Sequence, residues 1–117
     1  MPLDERHAIY KVCPAAEWRA AAAVGVYRGS AVDLQDGFIH FSTNGQLAET
    51  LRRHFVGQGD LVLVEIDPDA LGVRLRWESS RGGELFPHLY GDLAVSLAHR
   101  VSRLDVDGEG EGHREAR

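Results

Sequence analysis

The most apolar run of the chain is Leu61-Val62-Leu63-Val64-Glu65-Ile66, and Asp67-Pro68-Asp69 ends it abruptly. A short, near-continuous apolar run bounded by breakers reads as a central strand. The rest of the chain has to be arranged around it. Ala8 to Cys13 is apolar, β-branched or aromatic and reads as a first strand. The alanine-rich stretch Ala15 to Val24 follows Pro14, carries Glu17 near its start and is stopped by Gly25, which predicts a helix. Asp33 to Gly37 is turn chemistry, with Asp36-Gly37 the strongest signal. Phe38 to Phe41 reads as a short strand.

Thr43 and Gln46 have the spacing of a capping box, and a second helix is expected from there to about Val56. Leu47, Leu51 and Phe55 share one of its faces. Val73, Leu75 and Trp77 alternate with Arg74, Arg76 and Glu78, a half-buried strand pattern. Ser79 to Tyr90 is read as a long loop. Arg100 to Leu104 is read as the last strand, after a short turn or helical piece around Val95 to Ala98. Strand, helix, strand, helix and then several strands give an α+β class with two main helices.

With 117 residues there is room for one domain, expected over residues 8–104, with a flexible segment at 1–7. The formal charge is −5, and five acidic residues against two arginines lie between Asp105 and Arg117. That low-complexity tail is expected to be disordered. A near-neutral body without a basic face argues against nucleic acid as a partner. Cys13 is the single cysteine, so no intramolecular disulfide forms, and it is read as a buried hydrophobe. No stretch has the ~20 apolar residues of a membrane span, and the charged start lacks a signal-peptide pattern. The expectation is a cytoplasmic protein with no membrane partner.

Chemistry concentrates in two segments. In 79–91, Arg81, Glu84, His88 and Tyr90 accompany the pair Gly82-Gly83. Arg81 can fork onto a phosphate or carboxylate, and paired glycines allow close backbone approach to a ligand. In the other segment, strand alternation puts Phe38, His40 and Ser42 on one face, and Thr43 opens a helix whose N-terminus attracts anions. The expected catalytic residues are therefore His40, Glu84 and His88. Ser42, Thr43, Gln46, Arg81, Gly82, Gly83 and Tyr90 are the expected ligand contacts. Trp18 and Trp77 are read as core residues, Lys11 as a solvated lysine and His54 as complementing its helix dipole. Imidazole suits zinc, but His40, His54 and His88 lack helical ligand spacing, and no metal ligand is assigned.

The strings Ile9-Tyr10-Lys11, Gly37-Phe38-Ile39-His40-Phe41-Ser42-Thr43, Trp77-Glu78, Arg81-Gly82-Gly83-Glu84 and Phe86-Pro87-His88-Leu89-Tyr90-Gly91, with Trp18 and Gln46, resemble the domain of unknown function 952 family. The resemblance spans Ala8 to Leu104. That family is in turn similar in fold to ADP-ribosyltransferases and NAD-dependent RNA 2′-phosphotransferases, which implies a bent, split, mostly antiparallel sheet around a cleft. Phe38-Ile39-His40-Phe41-Ser42 resembles the His-Val-His-Leu-Ser string of the 2′-phosphotransferases, with His40 at the second histidine and Phe38 in place of the first. Glu84 or Glu78 is the loose counterpart of the transferases' catalytic glutamate. The resemblance implies NAD, ADP-ribose or a related nucleotide phosphate as ligand or substrate. The alternatives are a non-catalytic module for a small anionic metabolite and a metal-assisted hydrolase.

Overall fold

The computed structural model describes residues 3–115; positions 1–2 and 116–117, and with them the ends of the two expected flexible segments, lie outside the described residues. The apolar run forms β5 (Leu61–Ile66), every residue of which is buried. Its neighbours are β1 (Ile9–Pro14) and β9 (Ala98–Val106), both antiparallel to it. With β4 (Ser42–Thr43) and β10 (Gly112–Glu115) they make a five-stranded sheet in the order β10-β9-β5-β1-β4. A three-stranded sheet is ordered β3 (Ile39–His40), β7 (Glu84–Leu89), β6 (Leu75–Ser80), and β2 (Val26–Tyr27) pairs with β8 (Leu93–Ala94). All strand pairs are antiparallel.

The large sheet is covered on both faces, which explains the uninterrupted burial of β5. Ile9, Cys13, Val62, Val64 and Ile66 pack with Trp18 and Ala21 of helix α1 (Ala15–Val24), and with Ile39 and Leu89 of the smaller sheet. On the other face Tyr10, Val12, Leu61, Leu63 and Leu104 pack under Leu51 and Leu47 of helix α3 (Asn44–His54). Burial pushes the Cys13 thiol up to about 11, consistent with a core residue and not a nucleophile.

Several expectations are corrected. A third helix, α2 (Ala31–Asp36), stands where a turn was expected. Ser30 accepts from the Asp33 N–H while the Asp33 carboxylate accepts from the Ser30 N–H, so a capping box starts it and Gly37 ends it in the left-handed region. The strand expected over Phe38 to Phe41 is split. Phe41 donates its N–H to Pro87 O at 3.1 Å, and there the chain passes from the small sheet to the large one.

The expected loop at 79–90 is a hairpin, with Ser80 opposite Glu84. Gly82 (φ 63°) and Gly83 (φ 83°) supply the left-handed residues of its turn, so their role is closure of the hairpin. Residues 68–74 form 3-10 turns, which keeps Val73 out of β6. Trp77 is 45% exposed and is not core. The tail is also ordered where it was expected to be disordered: β9 runs on to Val106, Asp107 accepts the N–H groups of Glu109 and Glu111, and β10 returns along β9.

Candidate functional site

Strand pairing puts His40 of β3 directly opposite His88 of β7. Arg76 pairs with His88 on the other side, and Glu78 with Phe86, so these residues share one face of the small sheet. Phe38 and Tyr90 flank them. The Phe38 ring stacks on His88 at 4.1 Å and sits 4.6 Å from His40 and 5.2 Å from Tyr90. The two imidazoles are 5.5 Å apart, edge to face. The Arg76 guanidinium lies 4.9 Å from the centre of the Tyr90 ring.

Each imidazole is anchored by a carboxylate. His40 Nδ1–H donates to Asp33 Oδ1 at 2.6 Å, and the His40 backbone N–H donates to the same oxygen at 3.1 Å. The second Asp33 oxygen accepts from Lys11 Nζ at 2.6 Å and from the Ser30 N–H at 2.9 Å. Lys11 is thus a buried ion-pair partner, correcting the expectation of a solvated lysine. Strand alternation turns it inward with Ile9 and Cys13, and α2 brings Asp33 over it. Burial pushes the Asp33 carboxyl upward, but the bonds from His40, Lys11 and Ser30 outweigh it and hold the group well below the usual carboxylate range. His40 Nε2 lies 3.0 Å from Asp36 Oδ2 at the end of α2. The His40 side chain is 35% exposed, while Asp33 is 2% exposed.

His88 Nδ1–H donates to Glu78 Oε1 at 2.8 Å, and Tyr90 O–H donates to the same oxygen at 2.8 Å. Those two bonds lower the Glu78 carboxyl, and the Glu78 bond raises the Tyr90 hydroxyl. The His88 side chain is 7% exposed, so it underlies Phe38 and does not present itself to solvent.

Of the residues singled out in the sequence, the structure brings together His40, His88 and Tyr90. Glu84 is exposed and four residues from His88 on the same strand, about 13 Å away. Glu78 takes the place beside the imidazoles. Ser42 does not share the His40 surroundings: its hydroxyl is bonded to Thr50 Oγ1 at 2.8 Å. Thr43 and Gln46 form the expected capping box, and Gln46 Nε2 also donates to Leu85 O at 2.8 Å, tying α3 to the hairpin. Gly82 and Gly83 are at the hairpin tip with the Arg81 backbone; the Arg81 side chain lies outside the described residues. Lys11, Asp33 and Asp36 are the members that sequence reading missed, and Glu78 stood there only as the alternative to Glu84 that the resemblance implies. The Ser30-x-x-Asp33 spacing was the available signal for α2, and with it for Asp33 and Asp36.

His7, Asp67 and Asp69 form the one set of three metal-type ligands within 4.8 Å of one another among the described residues, and His7 and Asp69 are exposed. His40, His54 and His88 form no such set there. Among the described residues no helix is long and apolar enough to cross a membrane.

The fold matches the crystal structure of protein CC0527 from Caulobacter crescentus, with a TM-score of 0.86, 50% identity, and coverage of 91% of this chain and 93% of that one. A doubly substituted variant of CC0527 gives the same TM-score at 48% identity, covering 91% of this chain and 93% of that one. The solution structure of CC0527 gives 0.79 at 51% identity, covering 89% of this chain and 90% of that one. No curated protein matches the chain. The family profile described as "Protein of unknown function (DUF952)" matches residues 12–101, and the chain belongs to that family.

Proposed function

We propose that the open face of the small sheet is a binding site with acid–base capacity for a small nucleotide-like ligand, with NAD or an ADP-ribosyl compound as the class. One observation carries this reading: a buried, lysine-paired carboxylate, Asp33, pins an imidazole that solvent can still reach. A carboxylate bonded to Nδ1 fixes the tautomer and orientation of a histidine, leaving Nε2 to exchange a proton. Asp36 holds Nε2 of His40 from an exposed position at a helix end, where a ligand can displace it.

The ligand class is supported by the neighbours and by the resemblance to ADP-ribosyltransferases. Phe38 and Tyr90 are half-buried rings beside the Asp36 and Glu78 carboxylates. Such a rim suits a flat cationic ring, as the nicotinamide of NAD is. The same carboxylates repel phosphate, so the anionic part of the ligand lies away from His40. In this reading His40 is the catalytic histidine, His88 is a positioning residue, and Glu78 replaces Glu84 as the carboxylate that faces developing positive charge.

The test is calorimetry with NAD, ADP-ribose and inorganic phosphate, run beside an assay for released nicotinamide. NAD is expected to bind more tightly than ADP-ribose, which lacks the cationic ring, and His40→Ala is expected to abolish release. Absence of binding by both nucleotides overturns the reading. The 3.0 Å contact of His40 Nε2 with Asp36 favours a second reading, a binding module in which this imidazole is structural. Binding of NAD with no nicotinamide release selects it.

A further inference from the structure

Strand β6 is an edge: it pairs with β7, and no strand lies on its other side among the described residues. The ladder fixes which backbone groups face outward. Tyr90 N–H donates to Arg74 O at 2.8 Å, so 74 and 90 form a hydrogen-bonded pair. The β6–β7 register then runs without a slip from Leu75–Leu89 to Ser80–Glu84. Hydrogen-bonded pairs alternate along an antiparallel ladder, so Arg76, Glu78 and Ser80 bond to β7. Trp77 and Ser79 aim their N–H and C=O groups at the free edge, as Leu75 does its C=O, while the Leu75 N–H donates to Gly72 O. The side chains there are also uncovered: Trp77 is 45% exposed, and Leu85, opposite Ser79 on the same face of the hairpin, is 53% exposed.

We propose that β6 is the surface through which two copies of this chain pair, antiparallel, about a two-fold axis at Trp77. The edge is self-complementary in charge about that residue, with Arg76 before it and Glu78 after it. With Trp77 opposite its counterpart, both exchange N–H and C=O bonds. Arg76 then faces Glu78 of the partner subunit, and the symmetry repeats the contact. This is a non-hydrogen-bonded position, where Cα atoms approach to about 4.5 Å and side chains are closest.

Charge selects this register over its neighbours. Moving the axis by one residue either way sets Arg76 against Arg76 of the partner subunit, or Glu78 against Glu78 of the partner subunit. Edge strands that keep copies apart carry charges that repel on pairing; here the alternation of sign matches a two-fold instead. Glu78 Oε1 already accepts from His88 and Tyr90, so in this pairing the second copy's guanidinium bonds to Oε2. On the other face the tryptophans cover each other beside Leu85. Pairing joins the three strands of each copy into one continuous sheet and sets two candidate sites on the same face. The proposal does not depend on what those sites bind.

Sedimentation equilibrium of the full chain over a concentration series tests it, with circular dichroism to confirm folding. The wild type is expected to shift toward twice the chain mass as concentration rises. Arg76→Glu sets like charges together twice and is expected to weaken dimerisation roughly tenfold or more. Ser79→Pro removes an outward N–H that β7 does not use and is expected to give a folded monomer throughout. Arg76→Glu combined with Glu78→Arg exchanges the charges and is expected to recover the dimer. A wild type that stays monomeric across the series overturns the proposal. So does a folded Ser79→Pro variant that dimerises like the wild type, and that variant decides if the charge variants fail to fold.

Discussion

The two carboxylate–imidazole pairs, Asp33–His40 and Glu78–His88, share a sheet face and are built oppositely. Asp33 is 2% exposed and its histidine 35%, whereas Glu78 is 36% exposed and its histidine 7%. In the first pair the anchor is buried and the imidazole is reachable; in the second the imidazole is buried and the anchor is reachable. The difference follows from where each carboxylate sits. Asp33 lies in the capping box of α2, over β1, and accepts four bonds, from Lys11 of β1, from the His40 backbone and ring of β3, and from the Ser30 cap. Glu78 is on an edge strand and bonds within its own hairpin, to His88 and Tyr90. A buried anchor makes the first pair part of the fold. An exposed anchor makes the second an adjustable part of the surface.

The strongest way to break this contrast is Asp33→Asn. It leaves the Lys11 ammonium buried without its counter-charge, a change that costs about 3–5 kcal/mol in comparable buried pairs. Urea unfolding is expected to show a large drop in midpoint, and Lys11→Met in the same chain is expected to recover part of it, because an apolar replacement removes the stranded charge. If Asp33→Asn costs less than about 1 kcal/mol, the buried pair is not structural and the contrast fails.

How much of this was legible before the structure depends on the range of the interaction that decides each feature. Ala15 to Val24 and the Thr43–Gln46 box were readable because helix caps and breakers act within a few residues. Burial of β5 was readable from its composition. Residues 79–90 were misread because hairpin and loop differ only in whether Ser80 finds Glu84 and Ser79 finds Leu85. The tail was misread because its order comes from contacts with remote segments. An added Cβ at Gly110 would meet the Arg52 Cα at 2.9 Å, and β10 is held by β9. In the site, His40 and His88 stood out as residue types. Their anchors did not, because Lys11 and Asp33 are 22 positions apart and meet only through packing.

The pH dependence of stability sharpens the comparison at smaller scale. Asp33 has a carboxyl held below its ordinary value. A depressed folded value means the stabilisation is fully present above the unfolded value, about 3.9, and is lost as pH falls toward the folded one. Wild-type stability is therefore expected to fall below about pH 4 more steeply than that of Asp33→Asn, which has no such proton to gain. Parallel acid profiles for the two proteins would place the charge of Asp33 outside the stabilising network.

Glu78→Gln is expected to have the smallest effect on stability and a distinct spectroscopic one. Its carboxylate raises the Tyr90 hydroxyl by accepting its hydrogen bond, and that bond is stronger to a charged acceptor than to an amide. With the charge gone, Tyr90 is expected to ionise at lower pH in an ultraviolet titration. Tyr27, which burial pushes far up, is expected not to move, serving as an internal reference. His88 loses a charged partner but remains stacked under Phe38, so the fold is retained and the urea midpoint changes less than for Asp33→Asn. A loss of stability matching that of Asp33→Asn would mean that the edge carboxylate is as much a part of the fold as the buried one. An unchanged Tyr90 titration would mean that Glu78 and Tyr90 are not coupled in solution.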